Sequence, residues 1–272
     1  MFATIINDCH DNNARGRQTT RLSSLLETAV NFVSINSDLE AALEIVDIID
    51  AADNNPSGVI LVNIAPRGGE KQWENGSPFA FTIYKDTLII GTVDGFVFSG
   101  LKKIGLLEHL NLIDTEIATK EMLEAGFILS DQARRIPDSQ FRSFDLLPRL
   151  AAFIFSGYTI SSEPYDVDNI PDLPPAVWCI DNFGNCKTTV SVEDLSNANH
   201  LTTRYGKFGI IENLSDVPDN TDAVVVGSSG FGDKRWLEMV SQKQSFAKKH
   251  SVKIGDDITV NTSHFKSATG NR

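Results

Sequence analysis

SDLEAALEIVDII, Ser37 to Ile49, followed by VILVNI, Val59 to Ile64, is the stretch that decides the fold. Its first half opens on a capping box, Ser37 with Glu40, and then carries Leu39, Ala42, Leu43, Val46 and Ile49 on one helical face until Asn54, Asn55 and Pro56 stop it. Its second half is almost wholly apolar, as a central strand covered on both faces must be. A helix delivered into such a strand predicts a doubly wound α/β sheet.

Working outward, Phe2 to Ile6 reads as a second buried strand that runs into the polar loop Asn7 to Asn13. Side chains in such a loop project from the C-terminal edge of a sheet, which makes Asp8 a site candidate. In the other direction, Phe79, Phe81 and Ile83 alternate up to Lys85 and Asp86, and Thr87 to Gly91 returns, which predicts a hairpin. Asp94 and Gly95 make a further turn. Leu146, Leu147, Leu150, Phe153 and Ile154 then form the stripe of a helix opened by Asp145 and closed by Gly157.

Ser161 to Pro175 is rich in proline and acidic residues and reads as an exposed connection. Beyond it, short β-rich runs at Val177 to Ile180, Lys187 to Val190, Phe208 to Ile211 and Ala223 to Val226 are spaced by turn residues, with one short helix around Ser245 to His250. The expectation is an α/β N-terminal domain with a mostly parallel central sheet over residues 1–160 and a linker at 161–175. A smaller all-β, barrel-like C-terminal domain follows at 176–262, and a flexible tail at 263–272.

The 272 residues carry a formal charge of -12, with 36 acidic against 24 basic side chains. That balance repels nucleic-acid backbones and anionic membranes and attracts small cations. Cys9, Cys179 and Cys186 form no CxxC pair, and no stretch approaches the about 20 apolar residues a membrane span needs. A cytoplasmic protein without a nucleic-acid or membrane partner is expected.

Asp8, His10 and Asp11 lack the spaced partners of a metal site, so no metal is expected. Gly227 to Gly230 does not have the spacing of a serine-nucleophile elbow, and His109, His200, His250 and His264 are scattered. Ala65 to Glu70 leaves a buried strand as a glycine-bearing loop without the ending of a phosphate loop. Ile180 to Asn185 places a carboxylate, an aromatic ring and a carboxamide on one tight turn. Such a turn offers cation binding, stacking and hydrogen-bonded base recognition together, or Asp181 and Asn185 simply satisfy the turn's own backbone.

This turn, within VWCIDNFGNCKTTV from Val177 to Val190, resembles the ID-x-FGN-x-x-TN-I signature of the S-adenosylmethionine hydroxide adenosyltransferases, relatives of the fluorinase and chlorinase enzymes. Leu237 to Asp256 is similar to that family's LEIAVNQGNAAELLGLKVGD segment without a gap. Ile5 to Asp8 sits where LLTDFG opens the family pattern, Ala65 to Gly69 where DPGVG is expected, Thr92 to Gly95 where PDNG is expected, and Gln140 to Ser143 where TFHG or the halogenase TFYS belongs. The resemblance implies S-adenosylmethionine as substrate or ligand, no further cofactor, and hydrolysis to adenosine and methionine. It also implies a homotrimer with sites between the N-terminal domain of one subunit and the C-terminal domain of the next.

By the same resemblance Asp8 holds the ribose hydroxyls, Asp181 lies near the methionine end, Phe183 and Asn185 form the adenine pocket, and Ser229 meets the methionine carboxylate. Phe141 and Ser143 lie near the reacting ribose carbon. The departures concern catalysis: Ala65 and Arg142 occupy the positions of the family's aspartate and histidine, and no arginine stands near Gln72. Alanine accepts no proton and arginine keeps its charge, so neither serves as a base. Arg67, Glu70 and Lys71 are the possible substitutes. The alternatives are an adenosyl-binding protein without turnover, a halogenase, to which Ser143 corresponds, and a structural protein without ligand.

Overall fold

The computed structural model describes residues 1–52, 57–65, 77–195 and 199–258. The chain divides into two compact units, Met1–Asp172 and Leu173–Arg272. The described residues have mixed α/β content and form two sheets, one in each unit.

The first unit is built on β1 (Phe2–Asn7), β2 (Asn31–Ser34), β3 (Gly58–Asn63), β4 (Phe79–Tyr84), β5 (Thr87–Thr92), β6 (Leu110–Ile113) and β7 (Ser162–Tyr165). They form one sheet in the order β2-β1-β3-β5-β4-β6-β7. The pairs β1 with β2, β1 with β3 and β3 with β5 are parallel, and the remaining three are antiparallel. The sheet is thus parallel on one side and antiparallel on the other, because the β4–β5 hairpin turns the chain back. Lys85 at the hairpin tip takes a left-handed φ of 51°.

Helices α1 (Asn12–Leu26), α2 (Asp38–Ala51), α3 (Ser99–Ile104), α4 (Thr115–Glu124), α5 (Ser130–Arg135), α6 (Arg142–Asp145) and α7 (Leu147–Phe155) complete the unit. The predicted stripe of α2 is buried at Leu39, Ala42, Leu43, Val46 and Ile49, and every residue of β3 is buried. Leu146, Leu147, Leu150 and Phe153 join Ile5, Val59, Leu61 and Ile90 in one apolar cluster. Burying side chains of this kind contributes about 1.5 to 3 kcal/mol each.

Two expectations need correction. The polar run after β1 does not stay a loop, since Asp11 accepts hydrogen bonds from the amides of Asn13 and Ala14 and starts α1. Polar residues dominate that helix, and among its residues only Gln18 and Leu22 are buried, so its apolar pattern is faint. The segment 161–175 is not simply a linker, because Ser162–Tyr165 pairs with β6 as β7. An edge strand needs only one set of backbone partners, so it tolerates Pro164 and solvent-facing side chains. The chain stays with the first unit to Asp172: Ser99 donates to the Pro171 carbonyl at 2.6 Å, and Lys102 to that of Ile170 at 2.6 Å.

The second unit holds β8 (Val177–Ile180), β9 (Cys186–Ser191), β10 (His200–Thr203), β11 (Gly206–Ile211), β12 (Asp222–Phe231) and β13 (Lys234–Ser241), with α8 (Phe246–His250) near its end. Their order is β10-β11-β12-β13-β9-β8. All neighbours are antiparallel except β11 with β12. Val177, Val190, Val224, Leu237, Met239 and Phe246 pack in its core. The tail 263–272 lies outside the described residues.

Candidate functional site

Strand order reverses at β1, which has β2 on one side and β3 on the other. In α/β sheets the crevice beyond the C-terminal ends of strands at such a reversal is the usual ligand site. Here it is a cleft of about 440 Å³ lined by Asp8, Asn36, Ser37, Asp38, Ile64, Ala65, Asp94 and Gly95. Three aspartates therefore line the cleft, from the ends of β1 and β5 and the start of α2.

Each carboxylate is fixed by its local chain. Asp8 follows β1 directly and accepts from the Ala65 amide at 3.0 Å. Behind it Asn7, fully buried, donates to Gln18 at 2.6 Å and accepts from the Cys9 amide at 2.8 Å and the Asn63 carboxamide at 3.2 Å. Asp38 accepts from the Phe96 amide at 2.9 Å. Gly95 beside it has φ +52°, and a Cβ there would lie 1.8 Å from the Asp38 Oδ2, so glycine is favoured both by the backbone and by the space. Asp94 accepts from the Ser77 hydroxyl at 2.6 Å.

Several amides at the start of α2 are already engaged. The Glu40 amide donates to Ser37, the Leu39 amide to Asp38 and the Asn36 amide to the Glu40 carboxylate. Arg142 is tied to the cleft wall through Ser77: its guanidinium donates to the Ser77 carbonyl at 2.9 Å and lies 5.4 Å from the centre of the Phe79 ring. Burial lowers its pKa from the ordinary arginine value, yet arginine stays charged.

Of the residues predicted for the site, Asp8 and Ala65 line this cleft, and Arg142 joins it by way of Ser77 and Asp94. Phe141 and Ser143 flank Arg142, the first 70 % exposed and the second half-buried. Arg67, Glu70 and Lys71 lie outside the described residues. In the sequence Asn36, Ser37 and Asp38 signal only the start of a helix. Their place after a short strand at the same sheet edge is the feature that points to a role in the site.

Asp181, Phe183, Asn185 and Ser229 belong to the second unit. Asp181 accepts from the Phe183 amide, the Asn185 amide and the Asn185 carboxamide, all at 2.9 Å, so its carboxylate organises its own turn. The turn leaves Phe183 71 % exposed and packs Gly184, at φ +87°, against Ser245. Ser229 is buried and accepts from the Lys187 ammonium at 2.8 Å. Among the described residues no group of three or more His, Cys, Asp or Glu is arranged to hold a metal ion, and no helix is long and apolar enough to cross a membrane.

No protein-family model matches the chain, and no curated protein matches it. The fold is shared with solved structures. An uncharacterized conserved protein from Thermotoga maritima is similar with a TM-score of 0.66 at 16 % identity, over 95 % of this chain and 100 % of that one. A conserved hypothetical protein from Thermus thermophilus is similar with a TM-score of 0.59 at 15 % identity, over 95 % of this chain and 98 % of that one. At these identities the likeness establishes a common two-sheet α/β architecture.

Proposed function

We propose that the cleft at the ends of β1, β3 and β5 binds the adenosyl group of S-adenosylmethionine and that the chain transfers this group to water, giving adenosine and methionine. The observation that carries the proposal is the chemistry of the cleft wall: Asp8, Asp38 and Asp94 stand where phosphate-binding α/β folds present free amides. A phosphate there would meet carboxylates, and the Leu39 and Glu40 amides are already bonded. Ribose hydroxyls donate to carboxylates, and a sulfonium is drawn to them. The similarity of Val177 to Val190 and Leu237 to Asp256 to the adenosyltransferase segments supports the identity of the ligand.

In the reaction the water oxygen bonds to ribose C5′ in line as the carbon–sulfur bond breaks. Sulfur keeps the electron pair and leaves as neutral methionine thioether. The water proton passes to a cleft carboxylate, since Ala65 has no basic group and Arg142 has no free pair to accept it. The Phe183 turn and Ser229 would close the adenine and methionine ends from a neighbouring subunit of a homotrimer, as the resemblance implies.

The test is incubation of the purified full chain with S-adenosylmethionine. Adenosine and methionine should form in equal amounts and in proportion to protein, and neither above the blank would end the claim of turnover. A second reading, binding without turnover, is favoured by Ala65 and Arg142 standing where the resemblance expects an aspartate and a histidine. Saturable calorimetric binding with no product would establish it.

A further inference from the structure

A second concavity of about 440 Å³ runs along α1 and is lined by Gly16, Arg17, Thr20, Arg21, Ser24 and Phe144. Its shape follows from helical spacing: Gly16, Thr20 and Ser24 recur every four residues as a strip of small side chains, with Arg17 and Arg21 on the adjacent strip. The two guanidiniums lie 4.1 and 3.6 Å from the centre of the Phe144 ring. This contact with a half-buried ring limits their motion.

The charge around the groove is unbalanced. Helix α1 contains three arginines and no acidic residue, in a chain of net charge -12. Arg21 pairs with Asp145 at 3.2 Å, and Arg149, 6 % exposed, donates to the Asp145 carbonyl. Ser139 also donates to the Asp145 carboxylate, at 2.7 Å. Burial first, and then the Arg21 charge, lower the pKa of Arg149, which registers the crowding of like charge. Arg17 has no ion pair among the described residues, while Asp145 serves both Arg21 and Arg149, and the Arg135 charge also lowers the Arg149 pKa.

We propose that this groove is a binding site for a small phosphorylated molecule, its phosphoryl oxygens held by Arg17 and the Thr20 hydroxyl with Arg21 behind them. Guanidinium forks match phosphoryl geometry, and the groove is open enough for such a group to reach them from solvent. The site is separate from the carboxylate cleft, so it stands whether or not that cleft binds an adenosyl ligand.

The experiment is a titration of the full chain with phenyl phosphate at constant ionic strength, followed by calorimetry and by amide NMR shifts. Saturable binding with shifts concentrated on residues 16–24 is expected. Arg17→Ala should weaken it about tenfold, the scale of one charge-assisted hydrogen bond, and Arg17→Glu should abolish it. Because Arg17 is exposed and loses only its contact with the Phe144 ring, both variants should stay folded with a thermal midpoint close to that of the parent. Absence of saturable binding, equal affinity in Arg17→Ala, or shifts confined to other residues would overturn the proposal. Benzoate binding as tightly as phenyl phosphate would overturn the phosphoryl assignment.

Discussion

Replacing Gly95 by alanine tests the construction of the cleft at its tightest point. The new Cβ would sit 1.8 Å from the Asp38 oxygen that accepts from the Phe96 amide, at a backbone φ of +52°. The left-handed conformation alone costs about 1 to 2 kcal/mol for a residue with a side chain. Displacing Asp38 forfeits a hydrogen bond to a charged group, which adds about 1.5 to 3 kcal/mol. The expected loss is therefore about 2.5 to 5 kcal/mol. Gly126→Ala is the control, since Gly126 has φ +68° but open space around its Cβ, and so carries the conformational cost without the collision. Urea denaturation followed by circular dichroism should place Gly95→Ala well below Gly126→Ala in stability. In the Asp38→Ala background the difference between the two glycine variants should shrink, because the colliding oxygen is gone. Equal losses for Gly95→Ala and Gly126→Ala, with Asp38 present, would refute the reasoning.

Three further outcomes are expected. Asp181→Ala removes the acceptor of three turn hydrogen bonds and should lower stability by about 1 to 3 kcal/mol, measured by thermal denaturation; an unchanged midpoint would contradict it. The Cys186 thiol is pushed up to about 12, by burial first and then by the Asp181 charge, so in the folded chain at pH 8 it should resist iodoacetamide while Cys9 reacts. Mass spectrometry showing equal labelling of the two would be the contrary result. Asp222 accepts from Lys249 and from His250, both at 2.8 Å, and although burial pushes its pKa up, these bonds and the Lys249 charge bring it below the ordinary value. A depressed carboxylate stabilises the fold fully above its unfolded pKa of about 3.9 and loses that contribution as pH falls through the folded value. Stability of the parent should accordingly fall more steeply below about pH 4 than that of Asp222→Asn, and parallel acid profiles would exclude the assignment.

What can be read in advance follows from which residues carry a repeating apolar signal. Helix α2, strands β1 and β3 and the β4–β5 hairpin are buried on a full face or on two, so their composition announces them. Helix α1 buries only Gln18 and Leu22 among its residues, β2 buries none of its four residues, and β7 is an edge strand, so side-chain patterns there say little. At the cleft, Asp8 and Ala65 are visible because each closely follows a recognisable strand. Asp38 is hidden behind its helix-opening role, and its closeness to Gly95 is a contact between residues far apart in the chain that no local spacing encodes. Asp181 has two meanings in the sequence, and its three bonds to its own turn give the backbone role a concrete form.

Calorimetric titration of adenosine into the full chain and into Asp8→Asn tests most directly whether the acidic cleft grips a ribose. The parent should bind saturably, and the variant, which exchanges a charged acceptor for a carboxamide, should bind about 10- to 100-fold more weakly while keeping its fold. Equal affinity in the two proteins, or heat no greater than dilution in the parent, would contradict the assignment of the cleft.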